Sequence, residues 1–142
     1  MRRWLMPTSV FGRTPVMSQP LFLCHPRCST CAKARTWMND HGITYVERDI
    51  RTDNPTVEEL TRWHAISGLP IRRFFNTSGQ LYRSMGLKDK LPSMSDADAI
   101  ALLATDGMLV KRPLLIIGDD VDAPAAVLVG FRQPEWESAL LV

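Results

Sequence analysis

Three cysteines, Cys24, Cys28 and Cys31, fall within eight residues, and the chain has no others. The last two form a Cys-x-x-Cys pair. A thiol becomes a good nucleophile only when it ionises. Its ordinary pKa is about 8.5, and the exposed N–H groups of a helix start lower it. Leu21-Phe22-Leu23-Cys24 reads as an apolar strand, and Ser29 onward reads as a helix. Cys28 therefore stands where the helix begins, with Cys31 one turn further in and more shielded. Residues three apart share a helix face, which brings the two sulfurs within reach of a disulfide. The spacing assigns attack to Cys28 and resolution of the mixed disulfide to Cys31. The backbone N–H groups of Ser29, Thr30 and Cys31 can hold the developing negative charge. Cys24 ends the strand, where it reads as a buried packing residue, with a second resolving thiol for Cys28 as the alternative.

Other uses of three thiols fit less well. A structural zinc site wants four ligands, and His25 is the only further candidate close by. Cys24-x3-Cys28-x2-Cys31 matches the cluster spacing of radical S-adenosylmethionine enzymes, but those need a barrel with more strands than this sequence offers. An odd cysteine count confined to one stretch argues against a secreted disulfide scaffold and for a cytosolic redox or metal site. His25 and His64 lack a partner cluster and read as packing or solvated residues. A net charge of +2 gives no argument for nucleic acid or membrane binding. No apolar run is long enough for a transmembrane helix.

The elements that must position this turn follow in order. Residues 1–17 carry Arg2, Arg3 and Arg13 and no acidic residue; they read as a disordered extension or a start set too early, with Met17-Ser18 a natural beginning. Residues 18–142, 45% hydrophobic over the full chain, suit a single domain. Strand one is Leu21 to Cys24, and the helix after it runs from Ser29 to His41, closed by Gly42. Ile43 to Arg48 alternates as strand two. Asn54-Pro55 reads as N-cap and first residue of a second helix ending at Ser67-Gly68. This is a βαβ unit, so the first two strands should be parallel. From Leu69 to Gly107 no good strand appears. Short helices are expected over Ile71 to Phe75 and Leu81 to Leu87, and a clearer one follows Ser95 through Thr105. Leu114 to Ile117 and Ala126 to Val129 read as a hairpin around Gly118-Asp119-Asp120, and Gln133-Pro134 opens a last helix.

Arg112-Pro113 stands immediately before the third strand. Proline belongs at a strand start or a bulge. Cis is found at only about 5–6% of X-Pro bonds, so residue statistics favour trans here. Against a strand–Cys–helix turn, a cis proline would present a backbone edge to an incoming substrate chain. Arg112 would then supply positive charge to the Cys28 thiolate or to an oxyanion.

Pro26-Arg27-Cys28-Ser29-Thr30-Cys31-Ala32-Lys33-Ala34-Arg35, with Trp37 two places on, resembles the active-site turn of the glutaredoxin-linked arsenate reductase (ArsC) superfamily, and in particular its Spx/MgsR-like and YffB-like branches. Phe74 to Gly79, Tyr82-Arg83, Gly86 to Leu91, Asp106 to Leu115, and Val129-Gly130-Phe131 with Trp136-Glu137 extend the resemblance over about Leu21 to Leu140. It implies an α/β, thioredoxin-like (glutaredoxin-type) fold. The expected sheet is mixed and four-stranded, with a mainly helical insertion between helix 2 and the strand 3–strand 4 hairpin. It also implies that Pro113 is cis, against the residue statistics, and that Arg112 faces the catalytic thiol.

For activity, the resemblance implies a thiol-dependent oxidoreductase. Cys28 attacks an oxidised thiol substrate or arsenate, and Cys31 or glutathione resolves. The catalytic group is then Cys28, Cys31 and Arg112, and the substrate-binding group is Ser29, Thr30, Arg72 and Pro113. Arsenate reductases of this superfamily carry three arginines around the oxyanion. Arg72 and Arg112 match two of them; the third would fall near Phe131, with Arg132 beside it but shifted by one. Cys31 stands where those enzymes carry a serine. A tyrosine-phosphatase loop, Cys-x5-Arg, would need arginine at Ala34 and is excluded. No bound cofactor or metal is expected. Glutathione/glutaredoxin or thioredoxin would serve as electron donor, and the protein is expected to be a cytoplasmic monomer without nucleic acid or membrane partners. The Spx-like branch implies an alternative, a redox-switched transcriptional regulator that binds RNA polymerase.

Overall fold

The computed structural model describes residues 19–118 and 124–141. The expectations for residues 1–17 and for Asp119 and Asp120 lie outside these. Four strands, β1 (Leu21–Cys24), β2 (Val46–Asp49), β3 (Leu114–Ile117) and β4 (Ala126–Val129), form one sheet in the order β2-β1-β3-β4. β1 and β2 run parallel, with Phe22 opposite Glu47 and Cys24 opposite Asp49. β3 is antiparallel to β1 and to β4. Helices α1 (Ser29–Asp40) and α2 (Val57–Ser67) follow β1 and β2, and α6 (Gln133–Leu140) follows β4. Between α2 and β3 come three short helices, α3 (Gln80–Ser84), α4 (Leu87–Lys90) and α5 (Asp96–Leu103), with 3-10 turns at Ile71–Phe74, Leu91–Ser93 and Gly107–Leu109. This is the thioredoxin-like sheet with the helical insertion that the sequence implies.

Both faces of the sheet are covered, which explains why β1 and β3 read as continuous apolar runs rather than alternating ones. Leu23, Leu114, Ile116, Val127 and Val129 pack with Leu60 and Trp63 of α2, Leu103 of α5, and Phe74. On the other face, Phe22, Cys24 and Leu115 pack with Cys31, Ala34, Trp37 and Met38 of α1 and Trp136 of α6. The strand period of two thus sends Cys24 to the same side as α1, where Cys31 also lies. Trp136 stacks edge-on against Phe22, Trp37 and Phe131, and its indole N–H donates to the Gly130 carbonyl at 3.1 Å.

Several boundaries differ from the sequence reading. β2 begins at Val46 rather than Ile43, because the Ile43 N–H closes α1 by donating to Met38 O at 2.9 Å, with Gly42 in the left-handed region at φ 67°. The N-cap of α2 is Thr56, not Asn54. Thr56 and Glu59 form a reciprocal capping box, while the Asn54 side chain donates to the Ala104 carbonyl at 2.7 Å and ties the loop to the end of α5. Glu59 also receives both ends of the Arg48 guanidinium at 2.8 Å, so β2 is clamped to the start of α2. The helix expected over Leu81 to Leu87 is divided at Gly86, whose φ of 64° ends one turn and starts the next.

Two backbone contacts fix where the insertion leaves and rejoins the sheet. Asn76 N donates to Leu109 O at 2.8 Å, and Lys111 N donates to Phe74 O at 2.7 Å. Phe75 and Val110 thereby form an isolated antiparallel bridge. Gly107 lies against the end of β2, where a Cβ would collide with the Ile50 carbonyl oxygen. The residues just before β3, Lys111 and Arg112, share one recess with Cys28, Ser29 and Thr30 at the start of α1.

Candidate redox site

Cys28 is the N-cap of α1, extended at φ −83° and ψ 120°, and its own N–H is turned back to His25 O at 3.1 Å. No side-chain oxygen caps this helix, and its first turn carries no acidic residue. The positive end of the helix is therefore left to the Cys28 sulfur. Burial opposes ionisation of Cys28. The N–H and thiol of Cys31, the N–H of Thr30 and the charge of Arg112 outweigh it, and its pKa lies below the ordinary thiol value. Cys31 is fully buried, and its pKa is raised by its hydrogen bond to Cys24, by burial and by its contact with Cys28. The pair is asymmetric in the sense read from the sequence: a partly exposed, easily ionised sulfur outside and a protonated thiol inside. All three cysteines are free thiols.

Cys28 lies in a recess of about 430 Å³ lined by His25, Arg27, Ser29, Thr30, Asn76, Ser78, Gly79, Met108, Lys111 and Arg112. The Arg112–Pro113 bond is cis, as the resemblance implied and against the residue statistics. Arg112 Nη1 donates to the carbonyls of Val110 at 3.1 Å and Met108 at 3.4 Å, which orients the guanidinium. Its Nε–H is buried with no acceptor among the described residues. Burial, followed by Arg112, lowers the pKa of His25, which favours its neutral form beside Cys28.

Of the residues singled out in the sequence, Cys28, Ser29, Thr30 and Arg112 are brought into one recess, with Cys31 hydrogen-bonded beneath. Pro113 is buried at the start of β3 and does not line it. Arg72 lies in an adjoining recess of about 400 Å³ with Arg73, Lys88 and Lys111. Arg132, beside the position of the family's third arginine, lines another recess with Thr30, Arg73 and Lys111, and pairs with Glu135 at 3.4 Å. Lys111 borders all three recesses and was not singled out. Its signal was its place directly before Arg112-Pro113. Arg35 was also missed as a site residue. It stands four residues after Cys31, on the same helix face, and its Nη2 donates to Cys24 Sγ at 3.0 Å.

A strand–thiol–helix turn, with a cis Arg112–Pro113 bond at the start of β3 on a four-stranded mixed sheet, defines the class: a thioredoxin-fold protein with a cysteine at the start of its first helix, an arrangement consistent with a redox-active site. Within that class the chain belongs to the ArsC family, whose sequence profile matches residues 23–139. It is 43% identical over 116 residues to the protein YusI of Bacillus subtilis, covering 82% of this chain and 93% of that one. It is 29% identical over 101 residues to the regulatory protein MgsR of the same organism, covering 70% and 79%. Among solved structures, an ArsC-family-related protein from Bacteroides fragilis is 51% identical and superposes with a TM-score of 0.79 over 84% of this chain and 96% of that one.

Proposed function

We propose that this protein is a thiol–disulfide oxidoreductase of the ArsC family, with Cys28 as nucleophile, Cys31 as resolving thiol and Arg112 as the charge that steadies both thiolate and substrate. The observation that carries this reading is the Cys28 sulfur at the uncapped start of α1, ionised more readily than an ordinary thiol and hydrogen-bonded to a buried, protonated Cys31. The Cys28 thiolate attacks one sulfur of an oxidised substrate, and the other leaves as a thiolate. Cys31 then attacks Cys28 Sγ, releasing the reduced substrate and leaving a Cys28–Cys31 disulfide. Glutathione/glutaredoxin or thioredoxin returns the two electrons. The N–H groups of Thr30 and Cys31 and the guanidinium charge of Arg112 would hold an anionic group at Cys28, so arsenate is an admissible substrate at the same sulfur. Arg72, in the adjoining recess, would meet the distal part of a larger anionic substrate, with Ser29 at the mouth.

Turnover with a disulfide substrate and with arsenate, each with glutathione/glutaredoxin and with thioredoxin, tests the reading. Cys28→Ser is expected to abolish every thiol-dependent turnover, and activity retained in that variant would overturn it. The similarity to the regulatory protein MgsR supports a second reading, a regulator; the Spx-like resemblance of the sequence would make it a redox-switched one that binds RNA polymerase. Capture of polymerase that depends on the oxidation state, without reductase activity, would favour that reading.

A further inference from the structure

The proposed reaction leaves Cys24 and Arg35 without a part, yet the two are arranged about the resolving thiol. Cys24 ends β1 with 1% of its surface exposed and packs in one buried cluster with Cys31, whose thiol it influences; Cys28 packs against the same cluster. Cys31 in turn contacts Cys28, so the three sulfurs form one chain with Cys31 in the middle. Each end of the chain faces a guanidinium: Arg112 stands near Cys28, and Arg35 Nη2 reaches Cys24 Sγ at 3.0 Å. Arg35 is fixed in turn by two hydrogen bonds to Glu47, at 3.0 and 3.1 Å, and lies over the Phe22 ring at 5.8 Å. An arginine needed only to tie α1 to β2 would be satisfied by Glu47; this one also points a donor at a buried sulfur.

Resting on the Cys28–Cys31 chemistry above, we propose that the three thiols are a relay in which the disulfide passes from Cys28–Cys31 to Cys24–Cys31. Cys24 Sγ attacks Cys31 Sγ, the Cys31–Cys28 bond breaks as the Cys24–Cys31 bond forms, and Cys28 leaves as a thiolate. The Cys24 proton goes to solvent or onto Cys28. One disulfide and one thiol are present before and after, so no further oxidant or reductant is needed. Exchange is fastest when the departing sulfur is the most easily ionised one, and Cys28 is the member of the chain that the helix start and Arg112 favour as a thiolate. Arg35 steadies the negative charge that Cys24 carries in attack. The oxidised protein then holds its disulfide in the interior and presents a free Cys28 at the surface.

Trypsin cuts after Arg27, which puts Cys24 on the peptide ending there and Cys28 with Cys31 on the peptide 28–33. The reduced wild-type protein is oxidised with one equivalent of oxidised glutathione, quenched in acid at increasing times, alkylated with N-ethylmaleimide and mapped without reduction. The expected result is an early disulfide within 28–33, replaced by a cross-linked species joining Cys24 to Cys31 with the maleimide on Cys28. Cys24→Ser should lose the cross-linked species entirely. Arg35→Met should form the 28–33 disulfide as before and slow its migration several-fold; migration at the wild-type rate would remove Arg35 from the relay. A disulfide confined to 28–33, with Cys24 fully alkylated at all times, would overturn the relay and leave the proposed function standing; a Cys24–Cys28 bridge would overturn the relay and also the assignment of Cys31 as resolving thiol. A Cys28 that never reacts would overturn both.

Discussion

A cysteine at a helix start is a group whose charge is decided by its neighbours, and here the neighbours are few enough to separate. The N–H groups of Thr30 and Cys31 belong to the backbone and survive any side-chain change; Arg112 does not. The pH profile of iodoacetamide alkylation should therefore have its midpoint below that of an ordinary thiol, about 8.5, so that Cys28 stays reactive at pH values where a free cysteine has gone quiet. Arg112→Met should move the midpoint upward without abolishing the depression, and an unmoved midpoint would remove Arg112 from the electrostatics of the site. Cys28, Cys31 and Arg112 were legible from the sequence because a spacing and a motif mark them. Cys24 was half legible: burial was expected and found, but its contacts with Cys31 and Arg35 depend on which face β1 turns toward α1. A four-residue apolar strand buried on both sides does not reveal that.

At the scale of elements, the β2–α2 junction shows where local rules compete. Asn54-Pro55 has the chemistry of a helix start, but Thr56 with Glu59 satisfies both reciprocal bonds of a capping box, and Asn54 is used for a long-range contact to α5. Glu59 is also the partner of Arg48, and that hydrogen-bonded pairing is the main reason its pKa is lowered. Its contribution to stability is thus fully present above the unfolded glutamate pKa of about 4.3 and is lost as pH falls through the lower folded value. Urea unfolding of the wild type and Glu59→Gln at a series of pH values should show the variant less stable at neutral pH and the difference shrinking in acid. A constant difference would mean that the carboxylate charge is not what matters there. Thr56→Ala tests the other half of the box, at a cost of about 1 kcal/mol. The βαβ order, the hairpin and the last helix were legible because hydrophobic period and capping residues agree there. The insertion was legible only as helical, since its position depends on the Phe75–Val110 bridge, which joins residues far apart in sequence.

For the whole molecule, the net charge of +2 suggested nothing about what it meets. The fold redistributes that charge. Arg27, Arg72, Arg73, Lys88, Lys111, Arg112 and Arg132 line the three recesses that open around and beside Cys28, and no acidic residue lines any of them. Lys111, where the insertion rejoins the sheet, is common to all three. The consequence is kinetic. A substrate that carries negative charge is drawn to the mouth before it touches anything, and dissolved ions weaken that pull once the screening length shrinks to about 10 Å at 0.1 M salt. For an anionic disulfide, kcat/KM should fall steadily with ionic strength while kcat stays level, and Lys111→Gln should flatten the slope. An uncharged disulfide should show no slope at all. The residue that stitches the insertion to the sheet would then also set how fast the protein finds its substrate, so that the salt content of its surroundings acts as a throttle on a reaction whose chemical step is insulated from it.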